Sequence, residues 1–186
     1  MPLQPIATLS TERLTLREAR FEDLADLMEV NGDPEVTQFL PYATWQSETD
    51  AAAWLERMDM LVAGGSARQL VIARKVDSRV IGTALLFKYD EGSSRLELGY
   101  ALGRAYWRQG YALEALRGLL SHAFKAMGIR RVEAEVNPSN VASNALLQSL
   151  GFTREGFLRE RWIVKGKTQG VNVYGLLVSE WPEREG

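Results

Sequence analysis

The chain has 186 residues, 46% of them hydrophobic and 25% charged, with a formal net charge of -2 and no cysteine. These totals suit one domain over residues 1–186; they exclude disulfides, thiolate metal ligands and cysteine nucleophiles, and they give no overall charge that calls for nucleic acid. The opening MPLQPIATLSTERL has no basic stretch followed by an apolar run, and nothing approaches the roughly 18 apolar residues of a spanning helix, so a cytoplasmic location is expected.

Leu14 and Leu16 alternate with Thr15 and Arg17 at the strand period of two, and FEDLADLMEV then places Leu24, Leu27 and Met28 at helical spacing. A second helix is predicted from Ser47 to Val62, with Ser47 as N-cap, Asp50 completing a capping box and Trp54, Leu55, Met58, Leu61 and Val62 as its apolar stripe. Gly64 and Gly65 end it. RQLVIARKV and RVIGTALLFKY flank Asp77-Ser78 and read as an antiparallel hairpin, followed by a third strand, RLELGYAL. Gly110 to Met127 has helical periodicity through Leu113, Leu116, Leu119, Leu120 and Phe124, with Gly128 as its stop. RRVEAEV is strand-like, VASNALLQSL is a short helix capped by Asn140, and the runs FLRERWIV and VNVYGLLV predict a closing hairpin. The fold class is therefore mixed α/β (α+β), a sandwich with a central, largely antiparallel sheet flanked by helices.

Charge is unevenly placed: between Phe21 and Met60 ten acids stand against one base, Arg57, so this segment carries -9 and the remainder +7. An acidic early part could face a cationic acceptor while a basic later part faces an anionic cofactor; solvated helix faces account for the same pattern.

The strongest local signal is LGYALGRAYWRQGYALEAL, where a strand passes through a loop into a helix opened by Gly110 and Ala112. Small residues leave the amides there accessible, and unpaired N–H groups with the positive end of the helix dipole favour phosphate. The spacing is neither G-x-x-x-x-G-K-[ST] nor G-x-G-x-x-G, which disfavours an ATPase or a dinucleotide-binding unit.

A second block, NPSNVASNALLQSLGF, follows one helix and one strand later. Together the two blocks resemble the acyl-CoA-binding signature of GNAT acetyltransferases, with Gly110 and Ala112 matching the first motif and Asn140, Ser143, Gly151 and Phe152 the second. TERLTLRE and the closing hairpin resemble the branch that contains ribosomal-protein N-terminal (Ala/Ser) acetyltransferases. The resemblance implies a GNAT-type sandwich, acetyl-CoA as cosubstrate and an amine acceptor, with no metal and no direct nucleic acid or membrane partner; it also admits a homodimer. It implies cofactor binding by Tyr100, Ala101 and Leu102 along the strand, by Arg108, Gln109, Gly110, Tyr111 and Ala112 at the phosphates, and by Asn140 and Ser143. Arg104 is a further candidate phosphate contact, and Asn137 marks the splay of the central strands unless turn chemistry alone explains it.

Two departures stand out. Trp107 occupies the place of a Gln or Arg, and Leu147 the place of the Tyr that protonates the departing thiolate in many of these enzymes. By resemblance Ser143, one helical turn before Leu147, is the replacement acid, although helix-cap support would also explain it. Glu97, on the strand leading to the cofactor loop, is the preferred general base, acting directly or through water, against the alternative of an exposed polar position; Glu135 is a weaker candidate. The solitary His122 reads as structural and no metal-ligand spacing is present. The expected activity is acetyl transfer from acetyl-CoA to a primary amine, a protein N-terminal α-amine among the options; the alternatives are a small cationic amine such as a polyamine, or a non-catalytic acyl-CoA-binding module.

Overall fold

The computed structural model describes residues 2–182; the ends of the expected domain, residue 1 and residues 183–186, lie outside the described residues. In chain order the elements are β1 (Leu9–Ser10), β2 (Leu14–Glu18), α1 (Leu24–Asn31), α2 (Pro34–Thr37), α3 (Glu48–Ala63), β3 (Arg68–Arg74), β4 (Val80–Asp90), β5 (Arg95–Leu102), α4 (Tyr111–Lys125), β6 (Arg131–Val136), α5 (Val141–Ser149), β7 (Thr153–Val164) and β8 (Lys167–Leu177). Among the described residues no helix is long and apolar enough to cross a membrane.

Why these segments take these shapes is largely local. Ser47 and Asp50 form the reciprocal capping box that starts α3, and Gly64 closes it. The α4 stripe of Leu116, Leu119, Leu120 and Phe124 is buried against the sheet, and each such side chain contributes about 1.5–3 kcal/mol on transfer from water. β1 and α2 are short elements that no sequence pattern announced, and β7 begins at Thr153, ahead of the expected Phe157.

The eight strands form one sheet in the order β1-β2-β3-β4-β5-β6-β8-β7. Every neighbouring pair is antiparallel except β5 and β6, which are parallel. Along β3, Leu70 and Ile72 join the core under α4, whereas Val71 and Ala73 pack with Leu27 of α1 and Trp54 and Met58 of α3. Helices thus cover both faces, which explains why β3 reads as a continuous apolar run.

Two features of the sheet matter for the site. β5 and β6 pair only at Arg95–Arg131, Leu96–Val132 and Glu97–Glu133; beyond Glu97 the strands part and leave a V-shaped opening through the sheet. Alternation then sorts β5 by face: Leu96, Leu98 and Tyr100 belong with the core under α4, while Ala101, at the parity of Glu97, packs with Val30 of α1 and Val36 of α2. The opening can therefore be reached from both faces.

Candidate active site

The opening widens into a cavity of about 890 Å³. Glu97, Tyr100, Ala101, Leu102, Arg108, Gly110, Tyr111, Ala112, Asn140 and Ser143 all line it, so the structure gathers ten of the eleven residues expected from sequence. Gln109 is the exception among side chains: its amide folds back to donate to the Ala105 carbonyl at 2.8 Å.

One end is built from backbone. Gly110 precedes α4 with φ +79°, a left-handed conformation that glycine adopts without a side-chain penalty. The first N–H returned to the helix is that of Glu114, to the Gly110 carbonyl at 3.0 Å, so the amides of Tyr111, Ala112 and Leu113 have no intrahelical acceptor and point out of the helix end. Arg108 is also left-handed, at φ +59°. Trp107 fastens this loop rather than replacing a polar contact: its indole Nε1 donates to the Leu102 carbonyl at 2.7 Å.

A residue distant in sequence braces the same loop. Arg13, in the β1–β2 turn, donates through Nη1 to the Gln109 carbonyl at 3.0 Å and through Nε to Glu114 at 2.6 Å, and its guanidinium lies 4.4 Å from the Tyr111 ring centroid. Thr11 Oγ1 and the Arg13 amide also donate to Glu114. Burial opposes ionisation of Glu114, but these hydrogen bonds outweigh it and hold the carboxyl below its usual range. No local pattern around Thr11 or Arg13 signalled this clamp.

Between the two ends, Tyr100 on β5 and Ser143 on α5 share a 2.6 Å hydrogen bond between hydroxyls. Burial pushes the Tyr100 phenol up to about 12, so it keeps its proton at neutral pH. Asn140 caps α5 by accepting from the Ser143 N–H at 3.1 Å. Asn137 is held by turn chemistry, accepting from the Ser139 N–H and donating to Gln169, both at 2.9 Å. Leu147 is fully buried in the core, so its position carries no hydroxyl towards the opening.

The other end is built from side chains. Glu97 is buried, with 9% of its surface exposed, which removes the reading of it as an exposed polar position. Its carboxylate accepts from Lys88 Nζ at 2.7 Å. Burial pushes the carboxyl above its usual range and the nearby Glu135 and Glu133 add to this, while Lys88 opposes it. Glu135 accepts from Trp162 Nε1 at 2.6 Å and from Arg161 at 3.1 Å. Phe39, Tyr42 and Phe87 supply aromatic surface to the same cavity.

Four acids of the early segment are held in ion pairs with Arg104 and Arg79. Asp33 and Glu35 pair with Arg104, each at 2.8 Å, and Asp26 and Glu29 pair with Arg79. Arg104 is thereby turned away from a phosphate role and towards α2. Of the ten acids only Glu35 lines the cavity.

The comparisons with known proteins agree with this geometry. Residues 13–153 match the family described as the acetyltransferase (GNAT) domain. An uncharacterized N-acetyltransferase, p20, of Bacillus licheniformis is 37% identical over 174 residues, covering 94% of this chain and 98% of the relative. The ribosomal protein uS5-alanine N-acetyltransferase of Escherichia coli (strain K12) is 27% identical over 187 residues, covering 95% of this chain and 94% of that one. Among solved structures, Mycobacterium smegmatis RimJ in complex with CoA-disulfide shares the fold at a TM-score of 0.86 and 23% identity, covering 95% of this chain and 90% of that one. A sheet opened between its parallel strands beside a bare helix N-terminus, matched over most of its length by these proteins, places this chain in the GNAT family as an acetyl-CoA-dependent N-acetyltransferase.

Proposed function

We propose that the acceptor is the α-amine of a protein or peptide N-terminus and that Glu97 and Ser143 carry the chemistry. The observation that carries this reading is the pairing of every carboxylate lining the cavity: Glu97 with Lys88, Glu135 with Arg161, and Glu35 with Arg104. A polyamine needs unpaired carboxylates to hold its second and third ammonium groups, and this lining offers it cations as neighbours instead. The name of the uS5-alanine N-acetyltransferase relative supports the same choice.

The energetics favour an α-amine as well. Deprotonation at pH 7 costs about 1 kcal/mol for an amine of pKa near 7.8 but about 4.6 kcal/mol for a lysine near 10.4. A buried carboxylate whose affinity for protons is raised is a suitable base for the first task.

The amides of Arg108 to Ala112 would hold the pyrophosphate at the start of α4. The unpaired edge of β5 at Tyr100 to Leu102 would take the extended amide arm, with Asn140 beside it. Glu97 would accept the proton from the amine as its nitrogen attacks the thioester carbonyl. As the C–N bond forms and the C–S bond breaks, the Ser143 hydroxyl would donate to the departing sulfur, with Tyr100 fixing the direction of Oγ. The proton leaving with CoA is balanced by the one Glu97 has taken, returned through solvent.

A CoA-release screen over alanine- and serine-initiated peptides, lysine-containing peptides with blocked N-termini, and spermidine tests this reading. The expected result is the highest kcat/KM on free N-terminal peptides. Faster turnover on spermidine would overturn it.

A further inference from the structure

Lys88 occupies its place because of an irregularity in β4. Phe87 pairs with Glu97 and Asp90 with Arg95, so Lys88 and Tyr89 together face the single residue Leu96. In a regular strand Lys88 would share the parity of Leu86, which is fully buried in the core under α4. The bulge gives that side to Tyr89, which packs against the core, and turns Lys88 towards the face of Phe87 and Glu97. The turn is made with Lys88 at φ +52°, a conformation uncommon for a residue with a side chain. Bulges beside active sites commonly re-aim one side chain in this way.

The re-aimed ammonium meets three groups. It donates to Glu97 at 2.7 Å, lies 5.2 Å from the Trp162 ring centroid and 5.3 Å from that of Phe87. The remaining charged groups around Glu97 come from other elements: Glu133 and Glu135 on β6 repel a charged carboxylate, and Arg161 on β7 attracts it. Tyr42, from the α2–α3 connection, lines the same cavity and is held neutral by burial, which pushes it up to about 12. Lys88 is the only one of these groups hydrogen-bonded to Glu97 among the described residues.

We propose that Lys88 is a positioning residue for the base: delivered by the β4 bulge, its ammonium keeps the buried Glu97 carboxylate ionised and aimed into the sheet opening, and thereby sets the pH below which the enzyme stops working. When Glu97 takes the proton of the amine, the ion pair weakens and the two aromatic faces remain to hold the ammonium. The inference rests on the reading of Glu97 as base, and its test separates the two.

The Glu97 carboxyl carbon is followed by NMR in protein carrying 13C-labelled glutamate, with its signal assigned by its loss in Glu97→Gln. Its titration is compared with the acid limb of kcat/KM on an alanine-initiated peptide, in parent, Lys88→Met and Lys88→Arg proteins. Removal of the ammonium is expected to move both midpoints up by about one pH unit, a tenfold change in the ionised ratio, while Lys88→Arg keeps them near the parent values. A packing defect would lower the amplitude of turnover without moving either midpoint. An unchanged carboxyl midpoint in Lys88→Met overturns the role of Lys88, whatever its turnover. A shifted carboxyl midpoint with an acid limb that persists unmoved in Glu97→Gln overturns Glu97 as base, and with it the control of activity through Lys88.

Discussion

The two ends of the cavity are made of different material. The end proposed for the cofactor consists of backbone: the amides at the start of α4, the left-handed Gly110 and the unpaired edge of β5. The end proposed for the acceptor consists of side chains delivered by irregular strands: Lys88 from the β4 bulge, and Arg161 and Trp162 from β7, whose register against β8 shifts between Leu158 and Trp162. Backbone recognition needs only small residues at a fixed spacing, whereas the side-chain end depends on which strands neighbour one another. One surface can therefore keep a fixed ligand while the other is retuned by substitutions that leave the sheet intact.

The largest effect should come from filling the backbone end. Gly110→Trp places a bulky residue in a left-handed position, where even a methyl group would sit 3.3 Å from Arg13 Nη2. Calorimetry should show acetyl-CoA affinity reduced at least about a hundredfold, roughly 2.8 kcal/mol, in protein whose circular dichroism is unchanged. Retained affinity would break the claim that this end is a backbone cradle.

Ser143→Ala probes the junction between the ends. A group that acts on the departing sulfur is felt mainly in the transition state, so kcat should fall roughly a hundredfold while acetyl-CoA affinity stays nearly constant. The loss is placed at the low end for a general acid because a thiolate of pKa near 8.5 departs readily. Equal kcat in variant and parent would return Ser143 to its cap and to its bond with Tyr100.

The smallest effect should come from the acceptor end. Trp162→Phe keeps an aromatic face for Lys88 but removes the 2.6 Å bond to Glu135, and it should raise the acceptor KM about fivefold, close to 1 kcal/mol. Acetyl-CoA affinity should not move. If it does, the two ends are coupled and the division between them is too sharp.

Much of the fold was legible because its signals are local. The 3.6-residue stripe of α4, the Ser47–Asp50 box and the turn at Asp77-Ser78 each lie within a few residues of one another. The residues expected to hold the cofactor were legible as a group for the same reason, since Gly110 and Ala112 share a turn and Asn140 and Ser143 share a cap. Glu97 could be named as an ionisable group on the strand before the loop, but alternation suggested exposure, and only the assembled cavity, where it meets Lys88 and shares the lining with Tyr42, Phe87 and Trp162, buries it.

By itself the sequence determined the types of the longer elements, the small-residue helix start, and the absence of cysteine, because each depends on residues close together in the chain or on composition alone. Only the tertiary structure decided where β5 and β6 part, that Arg13 and Thr11 brace a loop nearly a hundred residues away (|i−j| = 96 for Arg13 and Gln109), that Asp26, Glu29, Asp33 and Glu35 are held by Arg79 and Arg104, and that Lys88 faces Glu97. The reason is physical: a bulge turns every following side chain to the other face, and an ion pair between strands depends on register, and neither is encoded in any one segment.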